Sequence, residues 1–222
     1  MCLRCLLSFF PFLLFVENAV AQFSISTDAS LLRNLNRRQK FWAFGQTVHL
    51  NFPLSEKDAV YAWISYYTPG KFKNNFVAVA KDPLFSPQQV SYTAYSALRY
   101  RQLSIGWKHY FTGAYNEELD WSIYGLAGFG MLIGKATNTY DRPVDTASYQ
   151  VQSPAEGSGN FKRLTFDVGL GVDFPVSTGV FLYTELRTWI PTTRYPSTYL
   201  YKDNYHIPAL AIVNLGIRLL IE

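Results

Sequence analysis

FKRLTFDVGLGVDFPVSTGVFLYTELRTWIP, residues 161–191, holds two runs of strict two-residue alternation joined by PVSTG. In the first run Leu164, Phe166, Val168, Leu170, Val172 and Phe174 share one face, while Arg163, Thr165, Asp167, Gly169, Gly171 and Asp173 share the other. In the second, Leu182, Leu186 and Ile190 oppose Tyr183, Glu185, Arg187 and Trp189. A period of two is the signature of a β-strand, and a connection this short predicts an antiparallel hairpin. The apolar stripe runs for about ten residues, the length a tilted strand needs to cross the hydrocarbon layer of a bilayer. The other face mixes small residues with charges of both signs, as the inside of a narrow barrel would.

The pattern recurs along the chain. Phe23, Ile25, Thr27, Ala29 and Leu31 alternate with Ser24, Ser26, Asp28 and Ser30, and NLNRRQ turns this first strand. Trp42, Phe44, Val48, Leu50 and Phe52 form the apolar face of a second strand, and VYAWISYYT, residues 60–68, is a third. Strands follow over 92–110 and 121–134, then the central hairpin, and finally Val213, Leu215, Ile217, Leu219 and Ile221 against Asn214, Gly216 and Arg218. Helix competes for WSIYGLAGFGMLIG, but its four glycines would each cost about 1 kcal/mol there. Proline, asparagine and serine content predicts three long loops, at 69–91, 135–160 and 191–207, all on one side; short turns lie on the other. The expected architecture is all-β: an eight-stranded antiparallel transmembrane barrel, an up-and-down meander. A secreted soluble barrel of lipocalin type is the rival, and would carry its apolar residues inside.

The beginning of the sequence supplies the address. Arg4, the apolar run Leu6–Val16 and Ala19-Val20-Ala21 have the order of a secretory signal peptide, so residues 1–21 are expected to be removed and 22–222 to form the barrel domain. Both cysteines, Cys2 and Cys5, fall in the removed piece, which predicts a mature chain without disulfides. Aromatic residues (17%) outnumber charged ones (16%), the reverse of a disordered chain, and a net charge of +4 is too small and dispersed to predict a nucleic-acid partner.

With its signal peptide, eight strands and glycine-rich segments YGLAGFG and FDVGLGVDF, the chain resembles the small outer-membrane β-barrels of the OmpA/OmpX-like family. The resemblance implies residence in the bacterial outer membrane, with outer-membrane lipid and the barrel-assembly machinery as partners. It departs from many members in closing on Leu-Ile-Glu222 rather than on an aromatic residue. No cofactor is implied.

The inward polar face is the first candidate site. Asp28, Lys108, Arg163, Asp167, Asp173, Glu185, Arg187 and Arg218 are expected in the lumen, where buried charges must be paired. Folding the hairpin about Ser177 sets Asp167 opposite Arg187, and predicts a network of Asp167, Asp173, Glu185, Arg187 and Arg218. Trp42, Trp107, Trp121 and Trp189 suit interfacial girdles. Tyr195, Tyr199, Tyr201 and Tyr205 cluster in the last loop as candidates for recognition of an extracellular ligand, with anchoring of the rim as their other reading. His49, His109 and His206 have no metal-ligand spacing and no evident nucleophile beside them, so no catalytic or metal site is expected. The expected role is structural or surface-interacting; a narrow pore and a lipid-modifying outer-membrane enzyme are the alternatives.

Overall fold

A computed structural model of the protein describes residues 22–151, 154–193, 197–201 and 210–221. The expected signal segment, Tyr195, Tyr205, His206 and Glu222 lie outside the described residues. The strands are β1 (Phe23–Asn34), β2 (Trp42–Pro53), β3 (Asp58–Tyr67), β4 (Gly70–Ala80), β5 (Gln89–Thr112), β6 (Ser122–Tyr140), β7 (Tyr149–Gln150), β8 (Gly157–Ser177), β9 (Val180–Pro191) and β10 (Leu210–Ile221).

Pairing is antiparallel throughout and follows chain order except that the two-residue β7 pairs with β4, so that β6 pairs directly with β8; β1 closes on β10 from Phe23↔Ile221 to Asn34↔Leu210. β3 and β4 are two parts of one stave, since both pair with β5 and only Thr68-Pro69 separates them. The result is a closed eight-stranded barrel. Closure leaves no open edge within it, which is what makes a sheet viable in hydrocarbon.

The faces are those the alternation dictates. Leu103, Ile105, Phe129, Leu170 and Leu215 point outward and are each more than half exposed, and the other outward apolar residues around the barrel are exposed as well. An apolar belt this continuous is not tolerated against water, so a bilayer is its solvent. No helix among the described residues is long and apolar enough to cross a membrane. Trp42, Trp107 and Trp121 are about half exposed on this outer surface. Trp189, expected in the same girdle, is instead completely buried inside the barrel.

Two expectations about the loops are corrected. Residues 69–91 are mostly strand: β4 and the start of β5 pair from Gly70↔Leu98 to Val79↔Gln89, leaving only 81–88 as the connection. Likewise β6 continues to Tyr140 and β8 starts at Gly157, paired from Asn138↔Gly157. Pro69 misled because it stands at the break between β3 and β4, where a missing N–H costs no ladder bond. Beyond the apolar belt the outward positions become Lys71, Lys73 and Asn75, so the alternation loses its hydrophobic contrast. One wall of the barrel, from β4 to β8, therefore stands well above the rest: β5 has 24 residues and β8 has 21, against 12 each for β1, β2, β9 and β10.

The central hairpin is also corrected. Its turn is Thr178-Gly179, with Gly179 at φ 68 in the left-handed region that glycine adopts without strain. A bulge between Pro175 and Ser177 adds to this, so that Asp173 faces Tyr183, Gly171 faces Glu185, Gly169 faces Arg187 and Asp167 faces Trp189. The expected register differs by two residues. A shift of two changes every partner and keeps every side chain on its face.

Candidate functional site: the filled lumen and the outer wall

The buried charged residues of the barrel are Asp28, Asp167, Asp173 and Glu185, with Lys108, Arg163, Arg187 and Arg218. Among the described residues these acids and bases are equal in number, four of each. Their strands place them on the inward positions, and the contacts fall into three tiers.

At the short-turn end, Asp173 on β8 and Arg218 on β10 form an ion pair at 3.0 Å, reaching across β9. The Tyr110 hydroxyl donates to the same carboxylate at 3.0 Å. The Arg218 guanidinium lies 3.9 Å from the Phe181 ring centre and 4.9 Å from that of Tyr115. Tyr115 comes from the turn between β5 and β6 and is buried in the barrel end, donating to Ser24 Oγ at 2.6 Å.

In the middle tier Glu185 gathers most partners. Arg187 pairs with it, Tyr124 donates to it at 2.7 Å, and Lys108 Nζ lies 3.8 Å away. Lys108 also sits 3.8 Å from the Tyr124 ring centre, and the Arg187 guanidinium lies 4.2 Å from that of Trp63. Cation–π contacts of this kind strengthen where water is excluded. His49 Nε2 stands between Arg187 Nη2 at 3.0 Å and Asp28 Oδ2 at 3.2 Å; as one atom it serves as acceptor to the first or donor to the second. Asp28 accepts further bonds from Ser30, Tyr183 and the Thr47 amide at 2.6–3.0 Å.

Asp167 is held differently. It accepts from Gln102 Nε2 at 2.8 Å and Ser104 Oγ at 2.5 Å, and Gln102 in turn accepts from Trp63 Nε1 at 3.2 Å. The expected Asp167–Arg187 opposition is absent, because Trp189 occupies the facing position. Of the five residues grouped from the sequence, the structure thus pairs Asp173 with Arg218 and Glu185 with Arg187. It gives Asp167 to neutral donors. The residues that the grouping missed, among them Lys108, Tyr124, Gln102, Ser104 and His49, are inward positions of their own strands; alternation marked the face, but long-range register chose the partners.

Toward the outer mouth the lumen turns apolar. Leu32, Phe41, Tyr67, Leu98, Tyr100, Leu132, Phe161, Trp189, Leu200, Leu210 and Ile212 pack into one buried cluster. Phe41 and Phe72 stack at 5.9 Å, and Tyr67 and Trp189 meet edge to face at 5.5 Å. A second cluster lines the inner side of the raised wall: Phe76, Ala78, Tyr92, Ala94, Tyr149 and Tyr201. Tyr201 is buried there and accepts a bond from Asn74 at 3.0 Å, while Tyr199 packs against the outer-mouth cluster. Of these two candidates for ligand recognition, Tyr201 is enclosed on the inner side of the raised wall, and Tyr199 is half-buried against the outer-mouth cluster. High on the same wall, burial pushes the Tyr140 phenol up to about 12, and its hydroxyl donates to the Pro154 carbonyl at 2.7 Å.

Among the described residues no cluster of three His, Cys, Asp or Glu side chains is arranged to hold a metal ion. His49 lies inside the barrel and His109 points outward at the short-turn end, where it bonds Asp58 at 2.7 Å.

No protein-family model matches the sequence, and no curated protein sequence is significantly similar to it. Solved structures do match the fold. A major outer membrane protein from Thermus thermophilus superposes with a TM-score of 0.52 at 9% identity, over 91% of this chain and all of the other. Ail, the attachment invasion locus protein of Yersinia pestis, in complex with the heparin analogue sucrose octasulfate, gives 0.50 at 13% identity, over 90% and 99% of the two chains. The fold is that of the small outer-membrane β-barrels.

Proposed function

We propose that this chain is a non-conducting integral protein of the bacterial outer membrane, with a structural or surface-interaction role borne by its raised outer wall. The observation that carries this is the filling of the lumen. Paired charges occupy its lower and middle tiers, and an apolar cluster with Leu32, Leu132 and Trp189 at 0–2% exposure occupies its outer mouth. An eight-stranded interior is just wide enough to be filled by side chains, and this one is filled. An ion would have to displace both the charge pairs and the apolar layer above them.

The wall from β4 to β8 supports the interaction role, because it presents polar strands beyond the apolar belt on a rigid base. Adhesion and structural roles both suit such a surface, and fold alone does not choose between them. An enzyme finds no support in the described histidines, which stand away from the outer rim. Planar-bilayer recording of the refolded protein tests the reading. The expected result is a quiet membrane; discrete, reproducible conductance steps would replace it with a pore.

A further inference from the structure

The outward apolar belt is interrupted by an amide. Along β2 the outward residues run Trp42, Phe44, Gln46, Val48, Leu50 and Phe52, so Gln46 is exposed with apolar residues on both sides along the strand. The other polar outward side chains of the belt among the described residues are hydroxyls, at Thr27, Tyr66, Thr184 and Thr188. Gln46 lies cross-strand from Ala29 on β1 and from Tyr66 on β3, and Ala29 lies cross-strand from Leu215 on β10. Because Thr27 and Ala29 are small, the surface here sinks into a depression of about 460 Å³, bordered by Leu215 and Ile217.

The amide is only partly satisfied within the chain. Its Nε2 donates to Thr27 Oγ1 at 3.1 Å, its one side-chain hydrogen bond among the described residues. One N–H and the carbonyl oxygen are left facing hydrocarbon. Acyl chains offer neither a donor nor an acceptor, so these groups keep their full desolvation cost.

Resting on the outer-membrane reading above, we infer that this depression is the interface at which two copies of the chain pair side by side, about a two-fold axis along the membrane normal. The amide decides the partner. A primary amide is self-complementary: the free N–H of each Gln46 donates to the carbonyl of the other, and two reciprocal hydrogen bonds satisfy both. Copies inserted in the same orientation carry Gln46 at the same depth, so the two-fold sets amide against amide. An acyl chain fills the depression and leaves the amide unmet, and a different barrel has to bring its own amide to that depth. Small residues beside a polar one are what lets transmembrane surfaces approach closely enough to hydrogen-bond. The place in the fold suits this as well. β6, in the raised wall, lies across the barrel from β1, reached through β2, β3/β4 and β5 one way and through β10, β9 and β8 the other. The pair therefore turns its raised walls away from each other.

The test is sedimentation equilibrium of the full-length protein, refolded in density-matched detergent micelles under reducing conditions, with heat-modifiable migration read on the same samples. The wild-type chain is expected to show a monomer–dimer equilibrium. Gln46→Leu, which keeps the belt apolar, is expected to weaken it about tenfold, the worth of two hydrogen bonds within a membrane. Ala29→Phe, which fills the depression and keeps the amide, is expected to leave monomer only. Thr188→Val, on the outward face of β9, is expected to pair like the wild type. If the wild-type chain forms no heat-modifiable barrel, the membrane reading itself fails. If the barrel forms and stays monomeric, this inference fails and the depression is left to lipid or to a different protein. If either Gln46→Leu or Ala29→Phe pairs as strongly as the wild type, the pairing surface lies elsewhere and the inference is again overturned. Should Gln46→Leu form no barrel, Ala29→Phe decides by the same rule.

Discussion

Asp173 and Arg218 meet at 3.0 Å across the lumen although they sit on β8 and β10, with the whole of β9 between them in the sheet. The two strands are not hydrogen-bonded neighbours, so the pair reports on the packing of the lumen rather than on one hairpin. Removing one partner leaves a charge unpaired and buried. Arg218→Ala is expected to destabilise by about 3–5 kcal/mol, and Asp173→Ala by a similar amount. In a double-mutant cycle by urea unfolding in lipid, the two should couple by about 1–3 kcal/mol. Additive singles would mean that the pair is not formed in the bilayer.

Glu185 and Asp167 are both buried carboxylates, yet their surroundings predict different losses. Glu185 answers two cations, Arg187 and Lys108, whereas Asp167 accepts from neutral Gln102 and Ser104. Glu185→Gln should therefore cost about 3 kcal/mol, since it strands positive charge in the lumen. Asp167→Asn keeps an acceptor for neutral donors and should cost only about 1 kcal/mol. Equal costs in the same unfolding assay would contradict the assigned partners.

The outer-mouth cluster gives a steric prediction. Gly134 is the cross-strand partner of Phe161, and the Phe161 ring lies where a Cβ on Gly134 would be. Gly134→Ala forces that ring out of the cluster and should cost about 1–3 kcal/mol. Adding Phe161→Ala makes room again, so the double variant should be less destabilised than the sum of the two singles. A strictly additive double would place the ring elsewhere.

These cases show what the sequence made legible. Facing was readable wherever the outside is lipid and the inside polar, because a period of two with strong contrast leaves one solution. Alternation alone placed Asp173, Glu185, Arg187 and Arg218 inward. Partners were not readable, because a bulge at residues 175–177 and a turn at Thr178-Gly179 moved the hairpin register by two. Contrast also fails at two places. Near the outer mouth the inward face is itself apolar, so Trp189 reads equally well as a girdle residue. Above the belt the outward face is polar, so Lys71, Lys73 and Asn75 read as loop although they belong to β4.

The central claim, that the apolar face looks out onto lipid and the polar face in, is tested most directly by tryptophan depth. Trp107 is about half exposed on the outer surface and Trp189 is wholly enclosed, on strands of the same barrel. Two single-tryptophan variants, each keeping one of these and replacing the other four tryptophans by phenylalanine, are refolded into vesicles of brominated phosphatidylcholine. The account predicts strong fluorescence quenching for Trp107 and almost none for Trp189. The reverse order, or equal quenching, would contradict it and return the chain to a soluble barrel with its apolar residues inside.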